Sequence, residues 1–198
     1  MRNSGAWILG LIFLAVFVYI GWNGFELPKV ILGETNITTG KIVNTYHKWG
    51  VRGGGSYQRV KFVYSVNDSV YFNFKTVGKK YGKQNIGNRV KIKYSLKNPD
   101  KSKVEAFYND YQNSNEEKFH TNENIGLSEI SLINGLYTFI KYGERGKIIF
   151  ENRGEYKIQN DSLILQSFDK KTKNYFQVVG SGKDQYLTDY ETKMILKK

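Results

Sequence analysis

Few residues in this chain are of types and spacings that do chemistry, and each set reads more simply as structure. His47 and His120 are the only histidines, and cysteine is absent. A zinc site needs several His, Cys or carboxylate ligands at short spacing, so none is expected. Gly180-Ser181-Gly182-Lys183 imitates part of a phosphate loop, but Gln177 and Asp184 stand where its first glycine and its hydroxyl would be. A β-turn is the expectation there. Gly53-Gly54-Gly55 lacks the helix that would complete an anion cradle and reads as a hairpin tip. Glu116 and Glu117 are adjacent, so as an acid and base pair they would point in different directions. With no Gly-x-Ser-x-Gly and no thiol nucleophile, neither an enzyme nor a cofactor is expected.

Charge carries more information. The net charge is +12. From Leu27 to Gln112 there are 16 Lys and Arg against 5 Asp and Glu; from Asn113 to Lys198 there are 13 against 12. An imbalance of this kind concerns partners, not fold. The basic residues alternate with apolar ones. Arg59 and Lys61 interleave with Val60, Phe62 and Tyr64, while Lys91, Lys93 and Lys97 interleave with Ile92, Tyr94 and Leu96. Period-two alternation puts the two sets on opposite faces of strands. The expected site is therefore a cationic sheet face of Arg59, Lys61, Lys91, Lys93 and Lys97. Trp49, Arg52 and Tyr57 around the triple glycine form a second candidate, a contact loop.

The elements that must position these residues follow from the same pattern. No charged side chain occurs from Asn3 to Phe25, an apolar run with Trp7 near one end and Tyr19 and Trp22 near the other. About 20 such residues span a hydrocarbon core of roughly 30 Å, so residues 1–26 are expected to be a single transmembrane anchor. A cleaved signal peptide is the competing reading, but each glycine near Trp22 has a bulky aromatic two residues earlier, a poor cleavage site. Arg2 beside the amino terminus favours a short inside segment and extracytoplasmic domains.

Residues 27–112 then read as a basic antiparallel β domain. Strands are expected at Lys41–Tyr46, Tyr57–Val66, Val70–Lys75, Val90–Lys97 and Val104–Tyr108, with Val70, Phe72 and Phe74 on the apolar face. Asn113 to about residue 132 reads as a polar linker. In residues 133–198, seven short strands separated by Gly, Asn or Asp turns suggest a small barrel or sandwich. The fold class is mainly β: one helix and two small antiparallel β domains.

Two resemblances accompany this pattern. Gly40-x-x-Val43, Val60 to Val66, Val70-Tyr71-Phe72, Ile86-Gly87-x-x-Val90-x-Ile92-x-Tyr94 and Asn98-Pro99 resemble the bacterial domain-of-unknown-function family 3592 over about Thr38 to Phe107. Leu96 departs from that pattern, which often has proline near this place. The resemblance implies a small β domain beside a membrane helix. Gly135-Leu136-Tyr137, Ile149-Phe150-x-x-x-Gly154-x-Tyr156-x-Ile158-x-x-Asp161-x-Leu163-x-Leu165 and Met194-Ile195-Leu196 are similar to small lipocalin-like domains of bacterial envelope proteins. That resemblance implies a barrel able to hold an apolar ligand, although ~65 residues favour a filled core.

The expected protein is thus non-catalytic, with the bilayer as its first partner. An anionic lipid surface or an envelope protein is its second, and nucleic acid is disfavoured. An inhibitor or immunity-type factor binding one protein is the alternative.

Overall fold

The computed structural model describes residues 4–23, 30–49, 56–121, 127–181, 185–189 and 193–197. Helix α1 spans Ser4–Asn23, a stretch with neither proline nor charge to interrupt it. From Trp7 to Tyr19 its described side chains are exposed on every face. Among the described residues, no helix is long and apolar enough to cross a membrane. The expected transmembrane span is therefore not met by the described residues alone.

The chain divides into two compact units, Met1–Asn67 with Tyr71–Gln112 and Asp68–Val70 with Asn113–Lys198. The first holds a five-stranded sheet of β1 (Thr35–Trp49), β2 (Ser56–Val66), β3 (Ser69–Thr76), β4 (Arg89–Ser95) and β5 (Ser102–Phe107). Their spatial order is β3-β2-β1-β4-β5, with long β1 at the centre. One face is the core, formed by Ile42, Val60, Phe62, Tyr64, Val90, Ile92 and Tyr94. Residues 77–88 cover part of it, packing Val77 and Tyr81 onto the strands. Gln58, Gln84, Asn85 and Asn88 tie that cover down through buried amide hydrogen bonds. Within this unit, α1 approaches the 3-10 turn Lys79–Tyr81.

One expected face is reversed. Phe72 and Phe74 are exposed, whereas Tyr71 packs on the core and stacks on Tyr64 with ring centroids 5.6 Å apart. The hairpin turn decides this. Asn67 and Asp68 both have positive φ, 48° and 59°, giving a two-residue turn that sets Val66 opposite Ser69. Residues opposite each other share a face, so Tyr71, two residues past Ser69, lies on the core side with Val66, and Phe72 and Phe74 turn outward.

The second unit is a closed antiparallel barrel of eight strands in up-and-down order. These are β6 (Glu116–Thr121), β7 (Ser128–Ile133), β8 (Leu136–Tyr142), β9 (Ile148–Gln159), β10 (Ser162–Ser167), β11 (Lys173–Val179), β12 (Tyr186–Thr188) and β13 (Lys193–Lys197). Closure comes from β13 pairing with β6. Residues 113–132, expected to be a linker, instead supply β6 and most of β7. In Glu116–Thr121 only Phe119 is apolar, so alternation is invisible there; pairing with β7 and β13 on its two sides makes the strand. The Glu116 and Glu117 segment is likewise strand, not the expected loop.

Phe119, Ile130, Leu132, Phe139, Leu163, Leu165, Phe176 and Leu187 fill the barrel interior. Tyr137 joins them, and its hydroxyl finds no hydrogen-bond partner among the described residues. Burial pushes its pKa up to about 12, with Asp169 adding a smaller repulsion. A buried hydroxyl without a partner costs about 1–3 kcal/mol of desolvation. Tyr137→Phe is therefore expected to stabilise the barrel by roughly 1 kcal/mol, read as a higher denaturant midpoint at unchanged slope. A lower midpoint would mean that the hydroxyl is bonded after all.

Candidate cationic and aromatic sheet face

The face of the five-stranded sheet opposite the core collects most of the expected site. Arg59 and Lys61 lie in β2, where they pair with Tyr46 and Asn44 of β1. Lys91 and Lys93 lie in β4, opposite Thr39 and Ile37 of β1. A bulge between Ile42 and Asn44 inserts one residue into β1, so odd residues before it and even residues after it share this face. The register thus joins two pairs of cations on separate strands into one surface.

Aromatic rings complete it. The Arg59 guanidinium lies 4.9 Å from the Phe74 ring centre, and the Lys61 ammonium 4.8 Å from that of Phe72. Tyr46 and Phe74 rings approach to 6.2 Å. Phe72 is 41% exposed, Tyr46 38% and Phe74 37%, large apolar surfaces that the fold leaves open. Each cation over a ring is worth about 0.5–1 kcal/mol at an exposed site. The rings also fix long side chains that would otherwise sweep freely.

Charges at the margin of the face are neutralised. Arg89 and Asp110 form a pair at 2.8 Å, and Lys103 reaches Glu105 at 3.1 Å. The hydrogen bond from Arg89 holds the Asp110 carboxyl below its ordinary range. Arg59, Lys61, Lys91 and Lys93 have no acidic partner among the described residues. The Arg59 Nε is buried and makes no hydrogen bond among those residues either. What remains is an uncompensated group of four cations beside three exposed rings.

Other expected residues fall elsewhere. Lys97 lies beyond the end of β4 in an exposed turn, off the cationic face. Tyr57 is half-buried in β2, paired with Lys48. Arg52 and the triple glycine lie outside the described residues, and of Trp49 only the backbone, at the end of β1, is described. His47 is exposed in β1 and His120 is half-buried in the barrel. Among the described residues, no group of three His, Asp or Glu could hold a metal ion.

Phe72, Phe74 and Tyr46 are the functional candidates that alternation missed. The signal that finds Phe72 and Phe74 is Asn67-Asp68, since a two-residue turn fixes which residues of β3 follow β2 outward; Tyr46 reaches this face through the bulge in β1. No protein family, curated protein or solved structure matches this chain.

Proposed function

We propose that the protein is a non-catalytic, single-pass membrane protein whose basic β domain binds an anionic surface, with both β domains extracytoplasmic. The anchor is α1, whose Trp7–Tyr19 stretch presents apolar side chains on every face. A helix apolar all round needs either a protein interior or lipid around it. The eight-stranded meander agrees with a lipocalin-like second domain.

The observation that carries the reading is the group of Arg59, Lys61, Lys91 and Lys93 on one face without acidic partners among the described residues. Each basic side chain near an anionic bilayer contributes about 1 kcal/mol, decaying over roughly 8 Å at physiological salt. Four acting together hold a tethered domain to that surface. The shifted carboxyls fit this non-catalytic reading. Asp110 is lowered by Arg89 and Asp169 by the Ser167 hydroxyl, so both stay ionised in structural bonds.

Lysine acylation of the full chain in vesicles tests the proposal. Lys61, Lys91 and Lys93 are expected to lose reactivity severalfold when phosphatidylglycerol is added to phosphatidylcholine. High salt should restore it, since about 1 M shortens screening to roughly 3 Å. Reactivity indifferent to lipid charge and salt would sink the reading. The exposed rings Tyr46, Phe72 and Phe74 favour a second one, a specific protein partner of inhibitor or immunity type. Protection that appears only in native membranes and survives high salt would select it.

A further inference from the structure

A separate surface lies at the end of the sheet where the chain arrives from the helix. The Leu96 amide donates to the Glu34 carbonyl at 3.0 Å, and Thr35 pairs with Ser95. Residues 30–34 and the connection from β4 to β5 are thereby held side by side. Between them opens a cavity of about 680 Å³, lined by Val30, Leu32, Glu34, Leu96, Lys97 and Lys101 among others. Leu32 is 84% exposed, Val30 77% and Leu96 48%.

Three aliphatic side chains in water beside two lysines form an unfavourable surface for a free-standing domain. They form a favourable one at a lipid interface, where aliphatic groups enter the acyl boundary and ammonium groups stay at phosphate level. The chain keeps the cavity near such an interface. Val30 follows Asn23, the last helical residue, by seven positions, which even fully extended reach no more than about 25 Å. Glu34 offsets one of the two lysines, so the lining carries one net positive charge.

We propose that this cavity seats the headgroup of one monoanionic phospholipid of the bilayer that holds α1. Lys97 and Lys101 pair with its phosphate, while Val30, Leu32 and Leu96 dip among the acyl chains. The inference rests on the anchor proposed above but not on the cationic face, which uses other residues. It gives Lys97 a role that its sequence alternation did not suggest. An inorganic phosphate would gain nothing from the aliphatic lining, so the lipid is the source of the anion.

Because the chain has no cysteine, Leu32→Cys and Leu96→Cys each accept a single nitroxide label. The labelled full chain is reconstituted into phosphatidylcholine vesicles with and without phosphatidylglycerol. With phosphatidylglycerol, both labels should gain accessibility to oxygen and lose it to an aqueous nickel chelate. Lys97→Gln and Lys101→Gln, both exposed positions, should each lower the ratio of seated to free label about fivefold. If inorganic phosphate at millimolar level displaces the effect, a free anion is bound and the lipid assignment is wrong. Labels equally water-exposed in both lipids, in a chain that resists carbonate extraction, overturn the inference and spare the anchor. A chain that carbonate washes off the vesicles overturns both.

Discussion

Gly154→Ala is expected to destabilise the barrel strongly and leave the five-stranded sheet intact. Gly154 is buried in β9, opposite Tyr137 of β8 and Ser167 of β10. A Cβ placed on it would collide with the Gln166 carbonyl and with the Ser167 Cα. These are backbone atoms, which cannot swing aside as the tip of a lysine could. Relief requires β9 and β10 to part, and that breaks the pairing of Gly154 with Ser167 and of Glu155 with Gln166.

Overpacking costs about 1–3 kcal/mol where side chains yield, and more where only backbone can. A cost of roughly 3 kcal/mol is a large part of the 5–15 kcal/mol that stabilises a typical domain. It corresponds to a fall of about 12–24 °C in melting temperature for a unit of this size. Hydrogen exchange of the full chain reads the two units separately. Protection should collapse in β8, β9 and β10 and persist in β1, β2 and β4. Unchanged exchange in β9 would show that the strands tolerate a methyl group there.

Gly154 also shows where sequence reading reached its limit. Two strands, Lys147–Phe150 and Gly154–Ile158, were expected where β9 runs unbroken from Ile148 to Gln159, because Glu151-Asn152-Arg153 interrupts the apolar pattern and Gly154 reads as the edge of a turn. Close approach of two backbones demands glycine just as a turn does, and the sequence alone does not separate the cases. Strands with strong alternation on a half-buried sheet were legible. β2 puts Val60, Phe62, Tyr64 and Val66 inward, and β10 follows the expected Ser162–Ser167. For β3, Phe72 and Phe74 outrank Tyr71 in hydropathy, yet turn geometry overrode hydropathy because register moves every side chain together. β6 was illegible for the opposite reason, having too little apolar content to show any period. Of the expected cationic face, Arg59, Lys61, Lys91 and Lys93 sit in strands, where period two is enforced by pairing. Lys97 follows the strand end at Ser95, and past that point alternation no longer specifies direction.

Gln84→Ala is expected to damage the five-stranded sheet unit severely, though Gln84 touches neither proposed surface. The side chain is almost wholly buried. Its Nε2 donates to the Tyr81 carbonyl at 2.7 Å and to the Asn109 Oδ1 at 2.8 Å, and its Oε1 accepts from the Asn88 Nδ2 at 3.2 Å. Its backbone is clamped as well. Gln58 Nε2 donates to the Gln84 carbonyl at 2.6 Å, while the Gln84 amide donates to Gln58 Oε1 at 2.8 Å. Alanine keeps that clamp but leaves the groups of Tyr81, Asn88 and Asn109 without their partner. Each buried group left unsatisfied costs about 1–3 kcal/mol, so a loss of roughly 3–5 kcal/mol is expected. Leucine at this position should rescue little, because it fills the volume without satisfying the amides. If leucine restores stability, packing rather than hydrogen bonding holds the cover. The consequence for binding follows from architecture. The sheet is a single layer, and Gln84 secures the segment that shields its core face. Losing that shield exposes the side chains beneath and loosens the strands that carry Arg59, Lys61, Lys91 and Lys93 on the reverse. Gln84→Ala should therefore abolish lipid-dependent protection of all three lysines at once. Lys61→Gln, which removes one charge from an intact sheet, should leave Lys91 and Lys93 protected with about a fivefold weaker preference for anionic lipid.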